Sequence, residues 1–473
     1  MRSALNVLKD WLFRPRVRPW ALLTPALVLC VALPLLRPLR HPAGMSDDEL
    51  LLVATVRSLV AEHDLALDPA VASTARGGVI TVDGRFYSAQ PPLYAVVLSA
   101  LSTGLDAAGV RYDRNVDLHL YLLTVLGVTL PTALAGGVAY RVGRAFELPR
   151  RWRTLLALLV VMGTGWISYA TVLNAHAPAA ACLVLSVALL VRAGAAQAPG
   201  WSIASSFGAG AFAFLAAAFD PPALAAAVPM AFAVIALRLK WPVRVGAVSA
   251  WLLGAGFIVA AHTAWTWPLT GDALPGSFHP ELAVAPAYPK VDPTILDPYD
   301  DGPFDDTLWL SIGRHVNRWL VAGFGPHGVL SHFPALLLAV IGTAALLHRH
   351  WPIFLKVLAL TGLVSTLAVI GVICASRTVN WRDAMFANQW LVAVLPLLML
   401  FAGPFLRRPH GGFTWTLAGL AIGFSVLTSL LGATRPLPPD GFAGYTAYES
   451  AKRLILPDRP GRVVDAPVVR GAQ

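Results

Sequence analysis

Residues 117–140 read DLHLYLLTVLGVTLPTALAGGVAY and are closed by Arg141 and Arg144. Beyond Asp117 and His119 the run holds no charged side chain, and at about 1.5 Å per residue it covers a hydrocarbon core of about 30 Å. It has no polar face for water, so it is read as a helix that crosses a bilayer. Runs of similar composition recur at residues 20–38, 153–173, 177–193, 201–219, 221–237, 245–267, 328–347, 352–374, 388–406 and 412–432. The fold class read from this pattern is all-α, a polytopic transmembrane helical bundle of about 11 spans.

Composition agrees. Of 473 residues, 56% are hydrophobic and 13% charged, against about 25% charged in soluble domains; mean hydropathy is +0.64. The net charge of +10 does not point to nucleic acid, because no basic helix or RNA-binding motif accompanies it. Cys30, Cys182 and Cys374 lie in or at the end of apolar runs, without the spacing of a zinc site or disulfide framework. Arg2, Lys9, Arg14, Arg16 and Arg18 precede the first run. That run is long for a signal peptide and lacks a clear small-residue cleavage site, so residues 1–19 are read as a cytoplasmic segment before a retained signal anchor.

The basic residues set the topology. With residues 91–105 (PPLYAVVLSALSTGL) taken as an interfacial or re-entrant helix, Arg141, Arg144, Arg150, Arg151 and Arg153 share a side with Arg238, Lys240, Arg244, Arg349, Arg407 and Arg408. That is the positive-inside pattern, and one more crossing would invert every later loop. Of the 26 acidic residues only Asp10 and Glu147 then face the cytoplasm. The membrane domain runs over residues 20–432, with outer loops 39–116 and 268–327 and an outer-side tail 433–473. Juxtamembrane helices are expected in the first outer loop.

Two polar clusters stand out in that loop. Ser46-Asp47-Asp48-Glu49 sets three carboxylates just past the first span, and Leu51–Ala61 has helical apolar spacing with Ser46 at its N-cap position. Acidic residues favour a helix start in any case, which accounts for the cluster without chemistry. The second is Asp83-Gly84-Arg85-Phe86-Tyr87-Ser88-Ala89-Gln90-Pro91-Pro92-Leu93, a turn, an extended polar strip and a double proline that opens a helix. A loop leading into an interfacial helix explains it equally well.

Taken in order, these clusters resemble the GT-C superfamily of membrane glycosyltransferases, which includes protein O-mannosyltransferases and the aminoarabinose transferase of lipid A. Ser46–Glu49 is similar to the family's Asp-Glu motif, and Arg57-Ser58-Leu59 with His63-Asp64-Leu65 to the helix after it. Gln90-Pro91-Pro92-Leu93 resembles its Lys/His-Pro-Pro-Leu. The stretches Gly325–Pro334 and Asn380–Trp390 resemble the starts of two late spans. The resemblance implies transfer of a sugar from a polyprenyl-phosphate carrier to an acceptor at the outer face, with Asp48 as general base and Asp47 and Glu49 beside it. It implies donor-phosphate contacts from Arg382, Arg377, Gln90, Arg85, His327 and His332, with Arg314 and Arg318 as further candidates. Gln90 departs from the family's Lys or His, and Gln389 stands where relatives carry an arginine; neither can neutralise a phosphate.

The acidic loop 268–327 lacks EF-hand order, so no metal is assigned and a divalent cation is not favoured. Trp265, Trp267, Trp309 and Trp319 are read as an interfacial belt, and His119, Asn174 and His176 as packing residues near span ends, with Asn174 and His176 facing the outer cavity. The expected partners are membrane lipid, a lipid-linked sugar and an acceptor of unspecified class, without nucleic acid, in a bacterial cytoplasmic membrane. The rival readings are a lipid-linked-sugar transporter or flippase and a catalytically degenerate scaffold. Span interiors almost free of ionisable residues argue against the transporter.

Overall fold

The computed structural model describes residues 19–36, 45–75, 78–196, 198–284, 308–325, 328–348, 350–375, 387, 389–434, 436 and 451; side chains 19–21, 47, 74, 308–315 and 375 are left aside. Helix is found in all eleven apolar stretches, but six helices are long and apolar enough to cross a membrane unbroken. They are Val116–Val142, His176–Ala195, Pro199–Phe219, Trp241–Thr270, Ile353–Cys374 and Gly412–Thr434. The other stretches are short or interrupted, and the interruptions have local causes. Arg150–Met162 stops before Gly165, whose φ of 73° lies in the left-handed region and whose Hα faces the Phe333 ring at a distance that leaves no room for a Cβ. Pro221, Pro222 and Pro229 divide Pro221–Ile235, and Pro396 and Pro404 open the two short turns of Leu395–Arg407.

Apolar surface faces outward. On Gly412–Thr434, Phe413, Leu417, Leu420, Phe424 and Leu427 are exposed at helical spacing, while Ala418, Ser425, Thr428 and Ser429 are buried. Trp241–Thr270 likewise exposes Leu252, Leu253 and Phe257. Stripes of this length are too large to leave in water and fit lipid tails. The small polar residues turned inward act as helix connectors: the Ser429 hydroxyl accepts from the Gly165 N–H at 3.1 Å, and the Ser425 hydroxyl from the Ala335 N–H at 3.0 Å. The chain is a multi-pass membrane protein.

The chain is mostly helical, as expected, but residues 66–88 add a small sheet to it. β1 (Ala66–Leu67), β2 (Val79–Val82) and β3 (Arg85–Ser88) form an antiparallel sheet in the order β1-β3-β2. Asp83 and Gly84 join β2 to β3 with φ of 48° and 77°, the two positive values that a two-residue hairpin turn requires. Around the sheet lie Asp47–Ala61, Pro69–Thr74 and Pro92–Ala107, the expected juxtamembrane helices.

Pro92–Ala107 does not lie flat. The Tyr94 hydroxyl donates to Gly127 O at 3.2 Å, whereas Ser102 Oγ meets His119 Nε2 at 2.9 Å, so the helix runs antiparallel along the first half of Val116–Val142. The Gly127 carbonyl needs that donor because residue 131 is a proline without an N–H, and the helix widens there into a π-turn over Val125–Thr129. Ser102 and His119 are fully buried, and His119 Nδ1 donates to Val110 O at 2.8 Å. The pair therefore fastens two helices and faces no solvent.

Candidate functional site

Asp48 owes its position to its neighbour. Ser46 caps Asp47–Ala61 in a capping box with Glu49, whose Oε2 accepts from the Ser46 N–H at 3.2 Å. Glu49 Oε1 accepts from the Leu173 N–H at 2.9 Å, across 124 residues, and the side chain is fully buried. Glu49 thus ties the start of this helix to the turn at residues 169–175. Asn174 shapes that turn: its Nδ2 donates to Tyr169 O and Val172 O, and its Oδ1 caps the next helix by accepting from the Ala177 N–H at 2.9 Å.

The turn delivers His176 to the site. His176 Nδ1 lies 2.9 Å from Asp220 Oδ2, with Asp220 buried between the end of Pro199–Phe219 and Pro221. Asp48 Oδ1 in turn accepts from Gln90 Nε2 at 3.3 Å, from the residue before the double proline. The Asp48 carboxylate acts on the His176 ring, and the Gln389 side chain lies beside it. Gln389 is buried. Five polar side chains from five separate segments therefore converge at one end of an otherwise apolar bundle.

The other expected site residues divide. Arg85 is exposed and pairs with Asp64 at 2.8 Å; hydrogen bonding to Tyr87, followed by the Asp64 charge, holds its pKa above the usual arginine value. It thus holds the sheet to the residues after Asp47–Ala61. His332 is buried with Nδ1 at 2.9 Å from Gly328 O. Arg318 donates to Cys374 O at 3.0 Å, at the end of Ile353–Ala375. Arg377, Arg382 and His327 lie outside the described residues, as do the side chains of Asp47 and Arg314. Among the described residues no group of three or more His, Cys, Asp or Glu is placed to hold a metal. Sequence reading set His176 aside as a packing residue and gave Asp220 no role, because nothing in a linear chain signals a contact across 44 residues.

A cleft at Gln90, lined by Thr55, Tyr87, Ser88, Pro92 and Leu269 among others, is only about 10 Å³ in volume. That is room for a single water and not for a sugar. A larger cleft of about 470 Å³ lies elsewhere, between Glu147, His348, His350, Trp351 and Arg407. Glu147 and Arg407 form an ion pair there, and the Trp152 and Trp415 rings stack nearby. This cleft is remote from Asp48: Gly194 packs against Phe354 near it, whereas His176 opens the same helix at its other end.

No family model matches the sequence, and no curated protein is significantly similar to it. Solved structures do match. The apo form of ArnT from Cupriavidus metallidurans superposes with a TM-score of 0.50 at 15% identity, over 87% of this chain and 63% of ArnT. ArnT bound to undecaprenyl phosphate gives 0.51 at 14% identity, over 88% and 70%. This is the GT-C fold. The apo oligosaccharyltransferase of Archaeoglobus fulgidus also matches, at 13% identity over 96% of this chain and 59% of that one, with a TM-score of 0.48. The chain thus spans less than two thirds of the length of the first ArnT structure, and at these identities the likeness concerns the GT-C fold alone. Within that fold, Asp48 lies in the first turn of Asp47–Ala61 and Gln90 just before Pro92–Ala107.

Proposed function

We propose that this GT-C protein transfers a sugar from a polyprenyl-phosphate carrier to an acceptor at the outer face of a bacterial cytoplasmic membrane, with Asp48 as the general base. The observation that carries the reading is the placement of the Asp48 carboxylate, half-buried against Gln90 and facing His176 at the acidic end of the bundle. Glycosyl transfer needs such a group: the acceptor hydroxyl gives its proton to Asp48 as its oxygen bonds to the anomeric carbon. The bond from that carbon to the phosphate oxygen breaks with inversion, and the polyprenyl phosphate leaves with the electron pair. A carboxylate base contributes roughly 10² to 10⁴ in rate. ArnT, of the same fold, binds undecaprenyl phosphate, which supports a phosphate-bearing lipid as donor. The acceptor class is left open.

In this reading the chain crosses eleven times with its N-terminus cytoplasmic, and Arg377, Arg382 and His327 reach the donor. Glu49 serves as a positioning residue, fixing Asp48 through Ser46 and Leu173. The test is Asp48→Asn in membranes supplied with labelled lipid-linked sugar. Transfer should fall by about 10² to 10⁴ while the protein keeps its thermal stability, and unchanged transfer removes Asp48 from the reaction. A degenerate scaffold is the second reading, favoured by one observation: the side chain bonded to Asp48 is the neutral Gln90 and not a cation. Loss of labelled transfer in the wild type alone would select it.

A further inference from the structure

Gln90 and Gln389 stand in this site as neutral amides, and Arg85 and Arg318 are engaged elsewhere, with Asp64 and Cys374 O. One cation-forming side chain remains among the described residues at the site, His176. An ionised carboxylate only accepts hydrogen bonds, so the 2.9 Å contact with Asp220 Oδ2 assigns a proton to Nδ1 and turns Nε2 away from Asp220. The ring cannot swing away easily. Its residue opens a 20-residue helix capped by Asn174, and Tyr169 stands edge-on with its centroid 6.3 Å away. The ionisable groups facing the ring are Asp220 at the end of Pro199–Phe219, Asp48 at the start of its helix and Tyr169 in the preceding turn.

Gln389, buried beside His176, faces the same ring. An anionic ligand would approach the Nε2 edge of His176, which turns away from Asp220.

We propose that His176, clamped by Asp220, is a phosphate-contacting residue of this site, donating from Nε2 to the phosphodiester of the lipid donor and then to the monoester of the polyprenyl phosphate that leaves, beside any contact from Arg377 and Arg382. The proposal rests on the glycosyl-transfer reading above and adds to it a group that holds the donor. When the bond to the anomeric carbon breaks, negative charge gathers on the bridging phosphate oxygen, and a protonated His176 stabilises it without passing on its proton. Asp220 is a positioning residue: it fixes the tautomer and keeps the imidazolium paired when no donor is bound. A histidine in this role makes donor binding depend on pH in a direction that a permanent cation cannot imitate. Polyprenyl phosphate, the monoester that leaves, gains charge as pH rises through its second ionisation near about 6, so a lysine or arginine would bind it more tightly at high pH. His176 loses its charge over the histidine range, near about 6.5 for a free side chain, so binding should weaken instead.

The experiment measures binding of undecaprenyl phosphate to the full chain in phosphatidylcholine nanodiscs between pH 5.5 and 8.5, with undecaprenol and inorganic phosphate as separate arms. Affinity of the wild type should fall by roughly 10- to 100-fold from the acidic to the alkaline end, the loss of one charge-assisted contact. Undecaprenol should show no such fall, and inorganic phosphate should show it at weaker affinity. His176→Gln should bind weakly throughout, and His176→Lys should reverse the slope. Asp220→Asn should keep the fall but move it to lower pH, a shift that loss of packing alone does not produce. If His176→Gln fails to fold, the wild-type slope and Asp220→Asn still decide. Wild-type binding that rises with pH, or equal binding by His176→Gln, overturns the inference and leaves the transfer reading standing. No binding of undecaprenyl phosphate at any pH overturns both.

Discussion

Asp48 and Glu49 are adjacent carboxylates with opposite duties, and their surroundings explain the division. Glu49 is fully buried, with its oxygens accepting from the Ser46 and Leu173 N–H groups, so its bonds are spent on structure. Asp48 keeps one amide contact, from Gln90, and remains partly exposed. Replacing Glu49 by alanine leaves the Leu173 N–H buried without an acceptor, which costs about 1–3 kcal/mol. Thermal unfolding of Glu49→Ala in detergent should show that loss together with reduced transfer, because Asp48 loses its anchor. A variant with wild-type stability would mean that the link from Glu49 to Leu173 bears no weight. Ser46, Asp48 and Gln90 were legible in the sequence because capping and double-proline signals are local. His176 with Asp220 was not, because their meeting depends on how two helices end in space.

At the scale of elements, close helix contacts rest on single glycines. A Cβ on Gly210 would lie 2.1 Å from Trp251 O, and one on Gly254 2.2 Å from Phe207 O, so Pro199–Phe219 and Trp241–Thr270 touch backbone to backbone. Gly210→Leu should separate them and destabilise the protein by about 1–3 kcal/mol, read as a lower unfolding temperature; the exposed Gly256→Leu, with nothing within 4 Å, is the neutral control. These contacts could be anticipated from the small residues of the alanine-rich stretch. The short strands could not, since four residues such as Val79–Val82 give too little alternation to separate them from a loop. The breaks at Gly165 and Pro396 were equally hidden inside runs apolar enough to read as unbroken. Just beyond Trp241–Thr270, His279 pairs with Glu281 and then Asp272, which raise its pKa. Asp272 is lowered chiefly by the Leu274 N–H, and Glu281 by its own backbone N–H and then by His279. The carboxylates support the cluster above their ordinary values of 3.8 and 4.5 and the histidine below 6.5, each fading beyond its shifted value. The Asp272–Glu281 turn should therefore be best protected from hydrogen exchange between pH 4.5 and 6.5 and loosen on either side, whereas protection flat across that range would deny the cluster any role.

For the whole molecule, charge and chemistry sort to opposite ends. Glu147 meets Arg407 at one end, which unites two loops that the positive-inside pattern had assigned to the same side. Asp48, Gln90, His176, Asp220 and Gln389 gather at the other. The remaining question of topology is Pro92–Ala107, whose 16 residues extend about 24 Å, short of a core of about 30 Å. Its contacts with His119 and Gly127 lay it along the first half only of Val116–Val142, so it is expected to have both ends on one side of the membrane. Single cysteines decide this once Cys30, Cys182 and Cys374 are replaced by alanine. Ser73→Cys, before the helix, and Asp113→Cys, after it, should both react with a membrane-impermeant maleimide on intact spheroplasts, while Gly411→Cys should react only after permeabilisation. Labelling of Ser73→Cys and Asp113→Cys on opposite sides would make Pro92–Ala107 a crossing and reverse every loop that follows. Labelling of Gly411→Cys from outside, with Ser73→Cys protected, would place Asp48 in the cytoplasm, where no outer-face acceptor can reach it.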